Sequence, residues 1–197
     1  MEVLDILKNV TNFEEAKNKL KGLKLIVKEY PDKDLYLVKY DKKNCDMTNK
    51  DIQKCRGLIA RMTDNKLVCL PPTKSLNIDE NIEWKNIKVE DFIDGTMINV
   101  FYHNDEWMIS TRSNIGAKCK WLSNKLFEEL FEESNKSINF DLLDKTIFYT
   151  FVLIHPENII VTKYTSPNIV LVSVGRVTDD NKYKNLKLDN IKGYTGY

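Results

Sequence analysis

Between Leu23 and Val174 the apolar residues fall mostly on every second position, and one long stretch, residues 117–133, departs from that rule. Alternation of period two puts successive side chains on opposite faces of an extended chain, so a sequence dominated by it folds into pleated sheets. The pattern predicts strands over residues 23–28, 35–40, 55–62, 66–70, 85–93, 96–102, 106–112, 145–154, 158–163 and 169–174. Tyr30-Pro31-Asp32-Lys33-Asp34, Thr63-Asp64-Asn65 and His103-Asn104-Asp105 are the turns between neighbours, and Pro71-Pro72 ends one of the strands. In the exceptional stretch Trp121, Leu122, Leu126, Phe127, Leu130 and Phe131 share one helical face, with Glu128, Glu129, Glu132 and Glu133 opposite. The first twenty residues also read as helix, through Val3, Leu4, Ile6, Leu7 and Val10, and Asn12 with Glu15 forms a capping-box signal. Residues 48–54 supply one further helical turn. The expected class is α+β, with a helical and hairpin region over residues 1–54 and a strand-rich core over residues 55–197.

Composition narrows the functional classes. Thirty basic against twenty-nine acidic residues leave a formal net charge of +1, which excludes a highly basic nucleic-acid coat protein but permits a local basic cleft. Arginine occurs only at positions 56, 61, 112 and 176. Its planar fork suits bidentate recognition of phosphate or carboxylate, so each of the four is a candidate contact. Cys45, Cys55, Cys69 and Cys119 are scattered, without a C-x-x-C pair, and predict reduced thiols in a cytoplasmic protein and no metal site. No apolar run approaches the ~18 residues of a membrane span, and the first residues carry no signal-peptide pattern. The abundance of Lys and Asn suggests an AT-rich source genome, of which a virus or phage is one kind.

Four short motifs occur in order along the strands. They are Cys55-Arg56-Gly57-Leu58-Ile59 with the downstream Pro71-Pro72-Thr73-Lys74-Ser75; Phe92-Ile93-Asp94-Gly95-Thr96-Met97; Ser110-Thr111-Arg112-Ser113-Asn114-Ile115-Gly116; and Phe151-Val152-Leu153-Ile154-His155-Pro156-Glu157-Asn158. Each alone is weak, and their order and strand context carry more. Taken together, residues 55–176 resemble the nucleotidyltransferase core of the RNA ligase 1 family, the phage tRNA-repair ligases. The resemblance implies an antiparallel, ATP-dependent ligase-like core that meets nucleotide and RNA ends through Arg56, Lys74, Asp94, Gly95 and Arg112.

The same comparison exposes departures. In the family a lysine two residues before the Asp-Gly pair attacks the α-phosphate of ATP, and here that place is held by Phe92, which has no lone pair. Lys88 lies four residues upstream, about 13 Å along a strand, too far to replace it. Val152 stands where the family carries an acid near the ribose, and Ile159 where it carries an arginine. Lys192-Gly193-Tyr194 is a relic at best of the E-G-[YF]-V strand, and the chain is expected to stop before the last ligase motif. The expectation is therefore a pseudoenzyme with no catalytic residue, binding RNA or a nucleotide-bearing end. ATP and magnesium are expected only if the family activity survives, and a protein partner is a further candidate.

Each candidate has a plainer alternative. Arg56 and Arg112 read equally as solvated strand-end residues, and Lys74 is one of 26 lysines. Asp94-Gly95 is first a turn. Phe92 reads as a plug of a former nucleotide pocket or as core, ahead of a stacking platform for a base. His103 and His155 read as surface residues. Lys17, Lys19, Lys21, Lys24 and Lys28 read as a solvated face before an RNA contact. Two rival functions stand beside the binding reading: altered phosphotransfer or AMP-removing chemistry, for which Asp91, Asp94 and Glu157 are the nominated acids, and a purely structural role.

Overall fold

A computed structural model describes the chain except for residues 1, 2, 78–84, 86, 88, 179, 180, 189, 190 and 197. It is α+β, with two antiparallel sheets and few helices. Helices α1 (Val3–Lys8) and α2 (Phe13–Gly22) lead into strands β1 (Ile26–Tyr30) and β2 (Leu35–Lys39). A short helix α3 (Lys50–Lys54) precedes β3 (Arg56–Arg61) and β4 (Leu67–Cys69), and these strands form sheet A in the order β1-β2-β3-β4. Strands β5 (Thr96–His103), β6 (Glu106–Ser110), β7 (Ile147–Ile154), β8 (Asn168–Val177) and β9 (Tyr183–Leu186) form sheet B, ordered β6-β5-β7-β8-β9. Helix α4 (Phe127–Ser134) lies between β6 and β7 in sequence.

The burial pattern explains the layering. Leu35, Tyr36, Leu37 and Val38 of β2 are all buried, as expected of a strand covered on both faces. Tyr36 packs against Phe13 of α2, the rings tilted by 49° with centroids 4.9 Å apart. The same core joins Val3, Ile6 and Leu20 of the helices to Phe101, Met108 and Phe148 of sheet B. The far face of sheet B carries a second core, in which Ile98, Tyr149, Phe151 and Ile169 meet Phe127, Leu130 and Phe131 of α4. Apolar burial of this kind, at about 25 cal/mol per Å², is the main favourable contribution to folding. Asn12 caps α2 by accepting from the Glu15 amide at 2.9 Å, as the capping signal requires.

Three predicted elements differ from the structure. The helix expected over residues 117–133 is confined to Phe127–Ser134. Ala117 and Leu122 adopt left-handed backbone (φ 54° and 60°), which a helix cannot contain. The intervening segment folds back instead, so that the carbonyls of Cys119 and Ala117 accept from the Phe127 and Glu128 amides and satisfy the first turn of α4. Trp121 and Leu122, expected on the buried face, are consequently 56% and 57% exposed.

The strand expected over residues 158–163 is irregular, because the Asp94 carboxylate takes the Val161 and Thr162 amides that a ladder would need. The strand expected over residues 85–93 falls partly outside the described residues, Lys88 included, and the described ones there form no strand. Among the described residues no helix is long and apolar enough to cross a membrane.

Candidate functional site

The first strand of the Cys-Arg-Gly motif begins with a buried thiol, Cys55, pushed up to about 12 by burial. Gly57 follows in left-handed backbone (φ 96°), and a Cβ placed there would lie 3.0 Å from the Arg112 Cα and 3.1 Å from its carbonyl oxygen. Strand β3 thus meets the backbone of the residues that follow β6 at this point, which glycine permits.

Opposite Gly57, the residues after β6 form a tight loop. The Ser113 and Asn114 amides both donate to Thr111 Oγ1, at 3.2 and 3.1 Å, and the Gly116 amide closes the loop on the Ile109 carbonyl at 2.7 Å. This turn presents Arg112 and Ser113 to sheet A. The Arg112 guanidinium lies 4.3 Å from the centroid of the Tyr40 ring and donates through Nη2 to the Tyr40 carbonyl at 2.8 Å. Its buried Nε has no hydrogen-bond partner among the described residues.

Two lysines of sheet A converge on the same loop. Lys28 Nζ donates to the Ser113 carbonyl at 2.8 Å and Lys39 Nζ to Ser113 Oγ at 3.0 Å. Lys39 is paired in register with Arg56, so that both side chains share one sheet face. The Lys39 ammonium is held below the ordinary lysine value, first by burial and then by the charges of Lys28 and Arg112, against which Asp41 acts more weakly. Lys28, Lys39 and Arg112 therefore form a cationic cluster at one end of the seam between the sheets, and the register puts Arg56 on the same face of sheet A. Like charges crowded in this way stabilise an incoming anion and destabilise the empty site.

The other sequence candidates have different occupations. The Lys74 amide donates to the Gln53 carbonyl at 3.3 Å, which places the residue near the entry to β3, but its ammonium donates to the Ser75 carbonyl at 2.9 Å. Asp94 Oδ2 accepts from the Val161 and Thr162 amides at 2.9 and 2.7 Å and so clasps the loop after β7. Gly95, just before β5, packs closely on β7, since a Cβ there would lie 2.5 Å from the Leu153 carbonyl and from Val152 Cγ1. Phe92 is 85% exposed, which overturns both its reading as a plug and its reading as core.

Lys39 and Ser113 were not singled out from the sequence. A lysine ending the apolar run of β2 was the available signal, and only the sheet-to-sheet contact gives it meaning. Lys28 was grouped with a solvated face, and the structure separates it. Lys17 pairs with Glu14 and Glu29, and Lys19 with Glu15, whereas Lys28 reaches across to sheet B.

A second cluster joins Glu133, His155 and Glu157, whose ligand atoms all lie within 4.8 Å of one another. Neither His155 nor His103 is a surface residue as expected, since their exposures are 4% and 8%. His155 Nδ1 accepts from the Glu157 amide at 3.1 Å, so the neutral ring carries its proton on Nε2, which donates to Glu133 Oε2 at 3.0 Å. The cation of this cluster is the Lys125 ammonium, 2.8 Å from Glu133 and 2.7 Å from Glu157. It ties the end of β7 to α4.

No family model matches the chain. The described sheets and motifs agree instead with a distant, RNA-ligase-like relationship to curated proteins. One is an RNA ligase of Rhodothermus phage RM378, 26% identical over 190 residues, covering 76% of this chain and 43% of that protein. Another, from Autographa californica nuclear polyhedrosis virus, bears the name "Putative bifunctional polynucleotide kinase/RNA ligase"; it is 25% identical over 172 residues, covering 76% of this chain and 25% of that protein. The chain thus spans less than half the length of either relative.

Proposed function

We propose that this chain is an RNA-ligase-like nucleotidyltransferase core that binds the phosphate of an RNA end or nucleotide without forming lysyl-AMP. The observation that carries the reading is the cluster of Lys28, Lys39 and Arg112 around the Ser113 loop, with Arg56 on the same sheet face by register. Its cations come from two strands and a loop, and their crowding is relieved by an oxyanion. The Arg112 guanidinium is fixed at the loop by the Tyr40 carbonyl and ring. The two relatives named as RNA ligases favour RNA as the source of that phosphate.

Covalent chemistry is a separate matter. Phe92 stands two residues before Asp94-Gly95 and offers a benzyl group where an amine is required. Asp94 and Gly95 serve the clasp and the close approach to β7 described above. The exposed Phe92 ring is suited to stacking on a base, an interaction that any base satisfies. The four cysteines are free, in keeping with a reducing, cytoplasmic setting.

The test has two parts. Binding of a 5′-phosphorylated oligoribonucleotide, measured at several salt concentrations, is expected to weaken steeply with salt, and Arg112→Ala to lower the slope by about 1. Incubation with labelled ATP and magnesium is expected to leave the protein unlabelled, and Phe92→Lys alone is expected not to restore labelling. Label mapped to any lysine of the unmodified chain would overturn the non-covalent reading, and salt-independent or absent RNA binding would overturn the binding reading.

A further inference from the structure

Strand β6 forms one edge of sheet B, and a cavity of about 550 Å³ opens between it, helix α4 and the end of β1. Its walls include Tyr30, Trp107, Ile109, Phe131 and Phe140. The Trp107 ring is braced by Tyr102, edge-on with centroids 5.2 Å apart, and by Phe140, tilted with centroids 6.0 Å apart. Tyr30 is held through its hydroxyl, which accepts from the Ile115 amide at 3.2 Å. Braced aromatic walls around a volume within the ~300–1,000 Å³ of small-molecule pockets suit a flat ring.

The polar groups at the cavity carry both signs. Lys33 from the turn after β1 and Lys118 from the segment before α4 meet Glu106 of β6 and Glu128 and Glu132 of α4. Lys33 and Glu106 pair at 3.5 Å. Three carboxylates repel a phosphate placed inside, and two ammoniums oppose a bare cation, so the lining favours an uncharged polar ligand. The carboxylates accept from hydroxyl or amino groups of such a ligand. Asn114 and Asn135 also line the cavity. The Oδ1 of each already accepts from a backbone amide, that of Lys118 at 3.2 Å and that of Ile138 at 3.1 Å, so their Nδ2 groups are the ends that donate.

Three lining residues, Asn114, Ile115 and Gly116, follow directly on Arg112 and Ser113 in the chain. We infer that the cavity is a nucleoside site, in which a base lies among the aromatic rings and ribose hydroxyls donate to the carboxylates of α4. A phosphate on that nucleoside stays outside, at the Ser113 loop, where Lys28, Lys39 and Arg112 gather. That last link rests on the phosphate reading above, and the nucleoside site itself does not. Arg56, Lys74, Asp94 and Gly95 are not in its lining, so the cavity is separate from the nucleotide contacts that the family resemblance implies.

The experiment is an NMR titration of the full chain with adenosine, uridine, inorganic phosphate, adenosine 5′-monophosphate and N-acetyl-arginine amide. The nucleosides are expected to shift the Trp107 indole and the Asn135 side-chain amide, and inorganic phosphate to shift the Ser113 amide. The monophosphate is expected to shift both sets and to bind about tenfold more tightly than adenosine. Nucleoside shifts without phosphate shifts overturn the phosphate reading and support the cavity; phosphate shifts without nucleoside shifts overturn the cavity and leave that reading standing. Glu128→Ala and Glu132→Ala are tested separately, and at least one is expected to weaken adenosine binding by about tenfold, the size of one hydrogen bond to a charged group. The amides of β7 report whether each variant remains folded. The inference is also overturned if the nucleosides shift only the exposed Trp121, if N-acetyl-arginine amide binds at Trp107 more tightly than either nucleoside, or if both folded variants bind adenosine as the parent does.

Discussion

Lys39 sits where binding and stability pull in opposite directions. Its ammonium is partly buried beside Lys28 and Arg112, so the folded chain holds that proton less tightly than the unfolded chain does. The resulting destabilisation is fully present below the depressed folded value and vanishes as pH rises above the ordinary 10.5. Lys39→Met is therefore expected to raise the melting temperature at pH 7, to lose that advantage above pH 10.5, and to weaken RNA binding. Scanning calorimetry at the two pH values, beside a binding titration, checks the three together. Gly57 is the second residue whose role is local and sharp. Gly57→Ala forces an L side chain into left-handed backbone against the Arg112 main chain, at a cost of about 1–3 kcal/mol in urea unfolding. Arg56 was legible as a candidate because arginine is scarce, whereas Lys39 was hidden among 26 lysines until its neighbours across the seam were known.

Among elements, β-strands were legible because period two survives wherever one face is buried. Strands β3, β5, β6, β7 and β8 all lie within or close to the predicted spans. The helix predicted over residues 117–133 held only in its second half, as α4, since the apolar spacing at Trp121 and Leu122 mimics a helical stripe that positive φ forbids. The loop after β7 was misread because its amides are captured by Asp94, a long-range partner that no local pattern encodes. The tie between that loop and α4 has a definite pH dependence. The Glu133 carboxyl is held below the ordinary range by hydrogen bonding to Lys125 first and His155 next, against the effect of burial. The tie is therefore complete above the ordinary carboxylate value and is lost as pH falls through the depressed one. Hydrogen exchange is expected to show faster opening of the Glu157 and Asn158 amides at pH 3 than at pH 6, after correction for intrinsic rates, and Glu133→Gln to show that loosening already at pH 6.

For the molecule as a whole, sheet A is the shared wall of two packing interfaces, with helices on one side and sheet B on the other. Strands β2 and β3 are neighbours in it, through pairs such as Leu37 with Ile59. A chain beginning at residue 55 would leave β3 with an unpaired edge and expose the helix-facing side of sheet A. Such a shortened chain is expected to lose the dispersed amide spectrum of a packed protein and to bind hydrophobic dyes. A well-dispersed spectrum would show instead that residues 55–197 fold alone. The α+β class could be read from periodicity, but the order β6-β5-β7-β8-β9 could not, because strand pairing is decided by contacts between segments far apart in sequence.

The close approach at Gly57 bears on how ancestry is inferred for chains of this kind. The glycine of the Cys-Arg-Gly motif is required by its left-handed backbone hard against Arg112, and Gly95 by a collision with Leu153 and Val152. Neither requirement refers to ATP, to RNA or to a nucleophile. A lineage that abandoned its chemistry would retain both glycines for as long as it retained two sheets in contact. These letters are thus a record of architecture, and a search that ranks sequences by them will gather active and silent descendants into one group. Only positions free of such steric duty, such as 92, can separate the two.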